Sequence, residues 1–265
     1  MSLSYKIQSL ILTPDCSMGL TVNIPMKTII YNNYSELSVK TAGMIANIIN
    51  EKPDALLCFP AGETSVGTFE HLIELNNSGI ISFNKCRIVG LDEWANLGVM
   101  QTENCFSFLK RFFFDHIDYS QENLCFFDGE SSDLEKECKR TDDFIKKYGP
   151  IDMMLLGAGM NGHLGLNEPG TPFELYSHIV ELDETTKTVG QKYFTGTVKL
   201  TAGITLGIKY ILESKAVILQ VNGSRKADIA KKLVKGEVTP QLPASAIKLH
   251  QNSFLLLDRE AAQYL

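Results

Sequence analysis

The sequence has few of the features that would assign it to several large functional classes. Its six cysteines include no C-x-x-C pair, which argues against a disulfide framework and against a zinc site of the common spacing. Acidic residues outnumber basic ones by 31 to 25, a formal net charge of -6, so the chain offers no basic surface for nucleic acid. No apolar run reaches the length of a membrane span. We therefore expect neither nucleic acid nor a membrane as a partner.

The first residues also lack the features of a signal peptide. Their apolar stretch, residues 7–12, is short and is followed almost at once by a proline and an aspartate, whereas a secretory signal needs a longer apolar core and a small-residue cleavage site. We predict an N-terminal arm over residues 1–30. We also predict a reduced, cytoplasmic setting, in which Cys58 and Cys86 lie in apolar runs as buried small hydrophobes.

What the sequence does have, over residues 31–265, is an alternation of short apolar runs and amphipathic stretches. The apolar runs predict buried strands at 54–59, 86–91, 123–127, 151–156, 216–221 and 253–258. The amphipathic stretches predict helices at 35–51, with Ser35 as N-cap, and at 64–75, 103–117, 133–148 and 224–236. This pattern is typical of an α/β domain with a doubly wound, mostly parallel sheet and helices on both faces.

Ligands of such sheets bind beyond the carboxyl ends of the strands. The segments at those ends are Pro60–Thr64 (PAGET), Leu91–Trp94 (LDEW), Gly157–Gly170 and Asn222–Lys226 (NGSRK). Small, acidic, imidazole and cationic groups therefore converge on one edge of the sheet. The patterning alone predicts a site at this edge.

Two of these segments suit an anion. Ala61, Gly62, Glu63 and Thr64 precede a predicted helix, whose N-terminal backbone N–H groups attract negative charge, although the loop taken alone is better explained as an ordinary strand-to-helix turn. Lys226 lies in the first turn of another predicted helix, where a cation opposes the helix dipole. An anionic ligand or a solvated helix start would account for it.

Asp92 and Glu93 are adjacent carboxylates at a strand end, so we expect at most one of them to face a given site. Asp92 is the candidate general base, a role that requires a raised pKa or a very short proton path. A polar loop start is the alternative interpretation.

The segment 157–170 contains a literal G-x-G-x-x-G, the pattern of dinucleotide sites. Gly165 and Pro169 follow where such a site would continue as a helix, so we interpret the segment as a glycine-rich active-site loop. His163 is its candidate proton carrier, with Asn161 and Glu168 nearby to support it and Gly162 allowing close approach of a ligand.

His163, Glu168 and His178 lack the spacing of a zinc site. We expect no metal and no cofactor.

Taken in order, these segments resemble the glucosamine-6-phosphate deaminase/isomerase family. LDEW resembles its Asp-Glu-aromatic motif, and GHLGLNEP (162–169) resembles the end of its glycine-rich loop. Further similarity lies in FFFDHID (112–118), LTAGITL (200–206) and NGSRK. The resemblance spans residues 35 to 260.

The resemblance implies a small-molecule partner, a phosphorylated amino sugar, and a reaction without metal. His163, aided by Glu168, would open the pyranose ring, and Asp92 would move a proton between C2 and C1 before ammonia is released. Residues 61–64 and Lys226 would hold the phosphate, and residues 170–195 would form a lid. A homo-oligomer is compatible with this assignment.

Three positions depart from the glucosamine-type pattern. Asn161 replaces a usual aspartate, His178 replaces a usual phosphate-binding arginine, and Glu63 replaces a small residue. With Asn161, His178 and the residues of the LDEW and GHLGLNEPG motifs, the sequence more closely resembles the galactosamine-6-phosphate branch of the family. That branch implies tagatose 6-phosphate as the product.

Two rival interpretations stay open. A 6-phosphogluconolactonase would share the fold and a similar G-H loop, although the Asn167-Glu168-Pro169 ending argues against it. The second is a non-catalytic sugar-phosphate-binding protein. A regulator of this kind would need a DNA-binding module, and the stretch before Ser35 is too short for a helix-turn-helix, whereas a degenerate enzyme that only binds would account for the altered Asn161 and His178.

Overall fold

The computed structural model describes residues 26–97 and 103–265. Its strands are β1 (Lys27–Tyr31), β2 (Leu56–Phe59), β3 (Arg87–Gly90), β4 (Asp92–Ala95), β5 (Leu124–Cys125), β6 (Met153–Gly157), β7 (His178–Glu181), β8 (Ala202–Thr205), β9 (Val217–Val221) and β10 (Ser253–Asp258). Its α-helices are α1 (Tyr34–Glu51), α2 (Val66–Asn77), α3 (Cys105–Phe112), α4 (Leu134–Tyr148), α5 (Glu184–Gly190), α6 (Ile208–Glu213) and α7 (Ala227–Lys235). No helix in these ranges is long and apolar enough to cross a bilayer.

The central sheet has seven strands in the order β1-β10-β9-β6-β2-β3-β5. Every pairing in it is parallel. Alternate residues of β2 show that both faces are covered, because Leu56 and Cys58 belong to one apolar cluster and Leu57 and Phe59 to another. The predicted doubly wound α/β fold is confirmed.

The amino end of the domain differs from the prediction in two respects. Helix α1 is capped by Asn33, not by Ser35, because the Asn33 side chain accepts a hydrogen bond from Glu36 N at 2.9 Å. Most of the predicted arm, residues 1–30, lies outside the described residues. Its last part, from Lys27, instead pairs with β10 as an exposed edge strand. Four of the five residues of β1 are exposed, so burial imposes no alternating apolar pattern on this strand, which is why the sequence did not reveal it.

A second sheet, of three antiparallel strands in the order β4-β8-β7, was not predicted. Its strands have four residues each and mix polar with apolar side chains. Asp92 and His178 both pair with Thr205 of β8, from opposite sides. LDEW is therefore not a loop start, as one of our interpretations had it. It leads through a single residue, Leu91, from β3 into this second sheet.

Candidate active site

The glycine-rich segment after β6 folds as a compact loop. Gly159 N donates to His163 O at 3.0 Å, and Gly162 N donates to Gly159 O at 3.1 Å. A Cβ on Gly159 would lie 2.3 Å from the His163 ring, and Gly162 has a φ of +87°, which side chains disfavour. Both glycines are thus required by the loop that holds the imidazole. No helix begins at these described residues, in agreement with the interpretation as an active-site loop.

Two residues that follow His163 in the sequence, Glu168 and Thr186, orient its imidazole ring. Its Nδ1 lies 3.5 Å from Glu168 Oε2 and 3.0 Å from Thr186 Oγ1. Asn161 Nδ2 donates to Glu168 Oε2 at 2.9 Å, and Asn161 Oδ1 accepts from His163 N at 3.2 Å. Glu168 is buried. Burial alone would raise its pKa, but hydrogen bonding and the charge of His163 outweigh that and hold the pKa below its usual value.

Nε2 of His163 makes no hydrogen bond within the described part of the chain. The imidazole is therefore held by its Nδ1 side, and its Nε2 side is available to move a proton.

Two supporting residues come from α5 and its N-cap, and the sequence did not single them out for this purpose. Thr186 contacts His163, as described above. Asp183 N donates to Glu168 Oε1 at 3.2 Å, and the Asp183 side chain accepts from Asn161 Nδ2 at 3.3 Å and from Thr185 N at 2.8 Å. The signal that could have found them is the N-cap pattern Asp183-Glu-Thr-Thr, which places a helix start beside the loop.

Asp92 lies half-buried at the carboxyl end of β3, as the sequence predicted. Burial, and secondarily the charge of Glu93, raise its pKa to about 7, against a smaller opposing effect of the hydrogen bond with Cys105. The glycine-rich loop meets this strand, because a Cβ on Gly165 would lie 3.1 Å from Leu91 Cγ. The structure thus brings a carboxyl group that titrates near neutrality next to the loop that carries His163.

Cations gather near the same loop. Lys226 Nζ donates to the carbonyl oxygen of Ala158. Burial first, and then the charges of Lys192 and Arg225, lower the pKa of Lys226 to about 8. Lys192 Nζ lies 2.7 Å from Glu63 Oε2. Lys192 was not predicted as a site residue, although it falls in the predicted lid range. Such like-charged neighbours are costly unless an anion binds between them.

The loop Ala61-Gly62-Glu63-Thr64 lies beside these groups. Thr64 Cβ would be 3.7 Å from a Cβ on Gly157, and a Cβ on Gly62 would be 3.9 Å from the hydroxyl of Tyr193. The 3₁₀ turn Glu63–Ser65 then leads into α2. The predicted anion loop, Lys226 and the segment that carries Lys192 therefore line one region.

His178 lies on β7, which is separated from β4 and Asp92 by β8. Its Nδ1 lies 3.0 Å from the carbonyl oxygen of Tyr176, and the preceding Ser177 N donates to Asp142 of α4 at 3.3 Å. The cation that reaches the 61–64 loop from this part of the chain is Lys192. The expected place of His178 at the phosphate is thus not supported by its contacts.

The arrangement combines three chemical capacities. Asp92 can exchange a proton near pH 7, the His163–Glu168 pair can move a second proton, and the cations beside the 61–64 loop can hold an anion. The three lie at the carboxyl edge of the parallel sheet, where ligands of this fold class bind.

Known proteins are similar to this chain in sequence and in architecture. The sequence profile described as glucosamine-6-phosphate isomerases/6-phosphogluconolactonase matches residues 33–256. A glucosamine-6-phosphate deaminase of Bacillus pumilus (strain SAFR-032) is 42% identical over 89% of this chain and 98% of its own, and glucosamine-6-phosphate deaminase 1 of Bacillus subtilis (strain 168) is 38% identical over 89% and 98%.

Solved structures agree. A monomeric glucosamine-6-phosphate deaminase superposes with a TM-score of 0.87 at 38% identity, covering 91% of this chain and 100% of that one. A 6-phosphogluconolactonase from Thermotoga maritima superposes with a TM-score of 0.71 at 17% identity, over 88% of this chain and 99% of its own, and thus shares the fold. Because the profile covers most of the chain, the chain belongs to the family of glucosamine-6-phosphate isomerases and 6-phosphogluconolactonases.

Proposed function

We propose that this chain is an amino-hexose 6-phosphate deaminase/isomerase, which converts glucosamine 6-phosphate and water to fructose 6-phosphate and ammonia. The observation that carries the proposal is Asp92, whose pKa is raised to about 7 at the carboxyl end of β3. A proton must move between two neighbouring carbons in this reaction, and a carboxylate that titrates near neutrality suits that transfer.

His163 opens the sugar ring. Its Nε2 takes the proton of the C1 hydroxyl and delivers a proton to the ring oxygen, so that the C1–O5 bond breaks and C1 becomes an aldehyde. Glu168 lies 3.5 Å from the opposite ring nitrogen and stabilises the imidazolium that forms in between. Asn161 and Asp183 hold Glu168 in place.

Asp92 then acts on the open chain. Its carboxylate removes the proton from C2, and the same carboxyl group then returns a proton to C1. O1 gains a proton and the C2 amine loses one, so the aldehyde with a C2 amine becomes a C1 alcohol with a C2 imine. Water adds to C2 and both of its protons pass to the nitrogen, which leaves as ammonia with the C2–N electron pair and gives the ketose.

The 6-phosphate binds beside the loop 61–64, with Lys226 and Lys192 as its cations. Residues 170–195, which carry α5 and Lys192, form the lid, because they contact the site from both His163 and Glu63. Closing such a segment over a phosphate excludes water from the reacting carbons. These steps are proton transfers and the addition of water, so the side chains named suffice for them without a metal or a cofactor.

The configuration at C4 of the substrate is the finer part of the proposal. Relatives named glucosamine-6-phosphate deaminase at 34 to 42% identity support glucosamine 6-phosphate. The galactosamine 6-phosphate preference that we predicted from Asn161 and His178 has less support, because His178 does not contact the predicted phosphate loop among the described residues. Asn161, in turn, contacts His163 and Glu168, the pair proposed to open the ring, and these contacts do not bear on the configuration at C4.

The lactonase alternative is disfavoured by the same comparison, since the lactonases are 15 to 18% identical and support the fold alone. Turnover of glucosamine 6-phosphate in D₂O tests the proposal. We expect fructose 6-phosphate and ammonia, with deuterium at C1 in proportion to the exchange of the Asp92 carboxyl proton with solvent between its removal from C2 and its delivery to C1. Binding without turnover would favour a sensor, and hydrolysis of 6-phosphogluconolactone without ammonia release would favour a lactonase.

A further inference from the structure

Glu93, the residue after Asp92, is a buried carboxylate with an unusual set of partners. It is 3% exposed. Its Oε1 accepts hydrogen bonds from Trp94 N and Cys105 N, both at 2.8 Å, and its Oε2 accepts from Phe106 N at 3.0 Å. All three partners are donors, so they favour the ionised form of the carboxyl group over the protonated one. Burial raises the pKa of Glu93, and these three N–H groups act against that rise.

Two of the three donors are the first residues of α3. A helix leaves its first N–H groups without partners and presents a partial positive charge there. Asn104 caps the N–H of Ser107 at 2.8 Å, and Glu93 takes the N–H groups of Cys105 and Phe106. The carboxylate thereby joins β4 to the start of α3, and this junction fixes the strand on which Asp92 lies.

The groups that face Asp92 come from four elements. They are Glu93 of β4, the thiol of Cys105 of α3, the thiol of Cys58 of β2 and the hydroxyl of Tyr193. The pKa values of both thiols and of the tyrosine hydroxyl are raised, mainly by burial, so these three are neutral near pH 7. Glu93 is the carboxyl member of this set, and its three backbone N–H donors favour the ionised form.

We propose that Glu93 is a positioning residue for Asp92, which holds β4 against the N-terminus of α3 and keeps a second buried negative charge beside the base. The inference rests on the proposed function, in which Asp92 transfers the proton. Glu93 itself touches neither substrate nor the reacting carbons, since its two oxygens are taken up by backbone N–H groups.

The consequence for the base is electrostatic. An ordinary aspartate titrates near pH 4 and is a weak base. A neighbouring negative charge disfavours a second one, and thereby makes the Asp92 carboxylate more basic. Glu93 is suited to supply that charge because the N–H groups at the start of α3 favour its ionised form.

The test is Glu93→Gln, which keeps the size of the side chain and removes its charge. The midpoint of Asp92 is read directly from its ¹³C-carboxyl NMR signal, identified as the one missing from Asp92→Asn, in a titration from pH 3 to 9. The acid limb of kcat/KM for ammonia release is measured in parallel. We expect both midpoints to fall by about one pH unit in Glu93→Gln.

Asn104→Ala is the matched control. It removes the neighbouring cap of α3 and weakens the same helix start, at a cost of about 1 kcal/mol, but it changes no charge beside Asp92. We expect lower thermal stability in this variant with both midpoints unmoved.

Three outcomes are distinguishable. Lower activity in Glu93→Gln with an unmoved Asp92 signal would reduce Glu93 to a structural role and overturn the inference. A shifted signal in a chain that releases no ammonia would refute the proposed function and leave the coupling of the two carboxylates standing. If Glu93→Gln does not fold, the same NMR titration of the unmodified protein tests the inference. An Asp92 midpoint near pH 4 would overturn it.

Discussion

Lys192 Nζ lies 2.7 Å from Glu63 Oε2 and joins the segment after α5 to the loop after β2. The two side chains are 42% and 65% exposed, so the pair adds at most about 1 kcal/mol to stability. Its importance is positional. A cation proposed for the phosphate is already occupied by a carboxylate of the same site, and a phosphate must compete with Glu63 for it.

Glu63→Gln should therefore tighten phosphate binding. Removing the competing charge is expected to lower KM for glucosamine 6-phosphate, and the inhibition constant of inorganic phosphate, by about threefold at low salt. Glu70→Gln, an exposed glutamate of α2, is the control. A raised KM in Glu63→Gln, with Glu70→Gln unchanged, would mean instead that Glu63 holds Lys192 in its binding position.

Lys226→Ala should weaken binding of phosphorylated sugars. Loss of a half-buried cation beside Ala158 is expected to raise KM by about 10-fold or more, with a smaller effect on kcat. Lys231→Ala, an exposed lysine of α7, should change neither. Equal KM values for the two variants would remove Lys226 from the phosphate site.

The same lysine predicts a pH effect. Its pKa in the free protein is lowered to about 8, so the ammonium is lost as pH rises through 8. Phosphate binding should weaken above that pH in the unmodified protein, and the weakening should be absent from Lys226→Ala. Inhibition by inorganic phosphate from pH 6.5 to 9 measures this directly.

Asp92→Asn should abolish turnover and retain binding. Removing a proton-transfer group costs about 10²–10⁴-fold in rate, whereas the phosphate loop and cations are untouched. Calorimetric titration with glucosamine 6-phosphate checks binding without turnover. Loss of binding together with activity would show that Asp92 holds the substrate and does not act on it.

The stability of Asp92→Asn as a function of pH gives a second test of the raised Asp92 pKa. The folded protein raises the Asp92 pKa from about 4 to about 7, so the folded state binds this proton more tightly than the unfolded state. Stability contributed by the protonated group is present below pH 4 and is lost as pH rises to 7. The melting temperature of Asp92→Asn, relative to the unmodified protein, should therefore rise between pH 4 and pH 7.5. A constant difference across this range would contradict the raised pKa.

His163→Gln should slow ring opening. The proton relay through Nε2 is lost, and kcat on the cyclic substrate should fall by about 10²-fold or more. Thr186→Val keeps the imidazole and removes one of its hydrogen bonds, so its loss should be smaller. An undiminished rate in His163→Gln would exclude the imidazole from the slow step.

Six of the seven strands of the parallel sheet, all except β1, were predictable because they lie in short, largely apolar runs. β4, β7 and β8 were not, since strands of four residues with mixed polar and apolar side chains give no clear pattern and their pairing depends on distant partners. The site was predictable where a residue follows an apolar strand, as Asp92 and His163 do. Lys192 was missed because only the folding of the 170–195 segment back onto the 61–64 loop brings it near Lys226.

The prediction for His178 has less support. The resemblance suggested a phosphate ligand, but His178 pairs with Thr205 and its Nδ1 lies 3.0 Å from the carbonyl oxygen of Tyr176. Sequence spacing sets which strand a residue occupies. The register and the neighbouring sheet set what it contacts.

Ammonia release from glucosamine 6-phosphate and galactosamine 6-phosphate, measured side by side without added metal, tests the central claim most directly. We predict release from glucosamine 6-phosphate, with the larger kcat/KM of the two, and its loss in Asp92→Asn. A larger kcat/KM for galactosamine 6-phosphate would reverse the assigned C4 configuration. No release from either sugar, with binding of both intact, would contradict the proposed reaction.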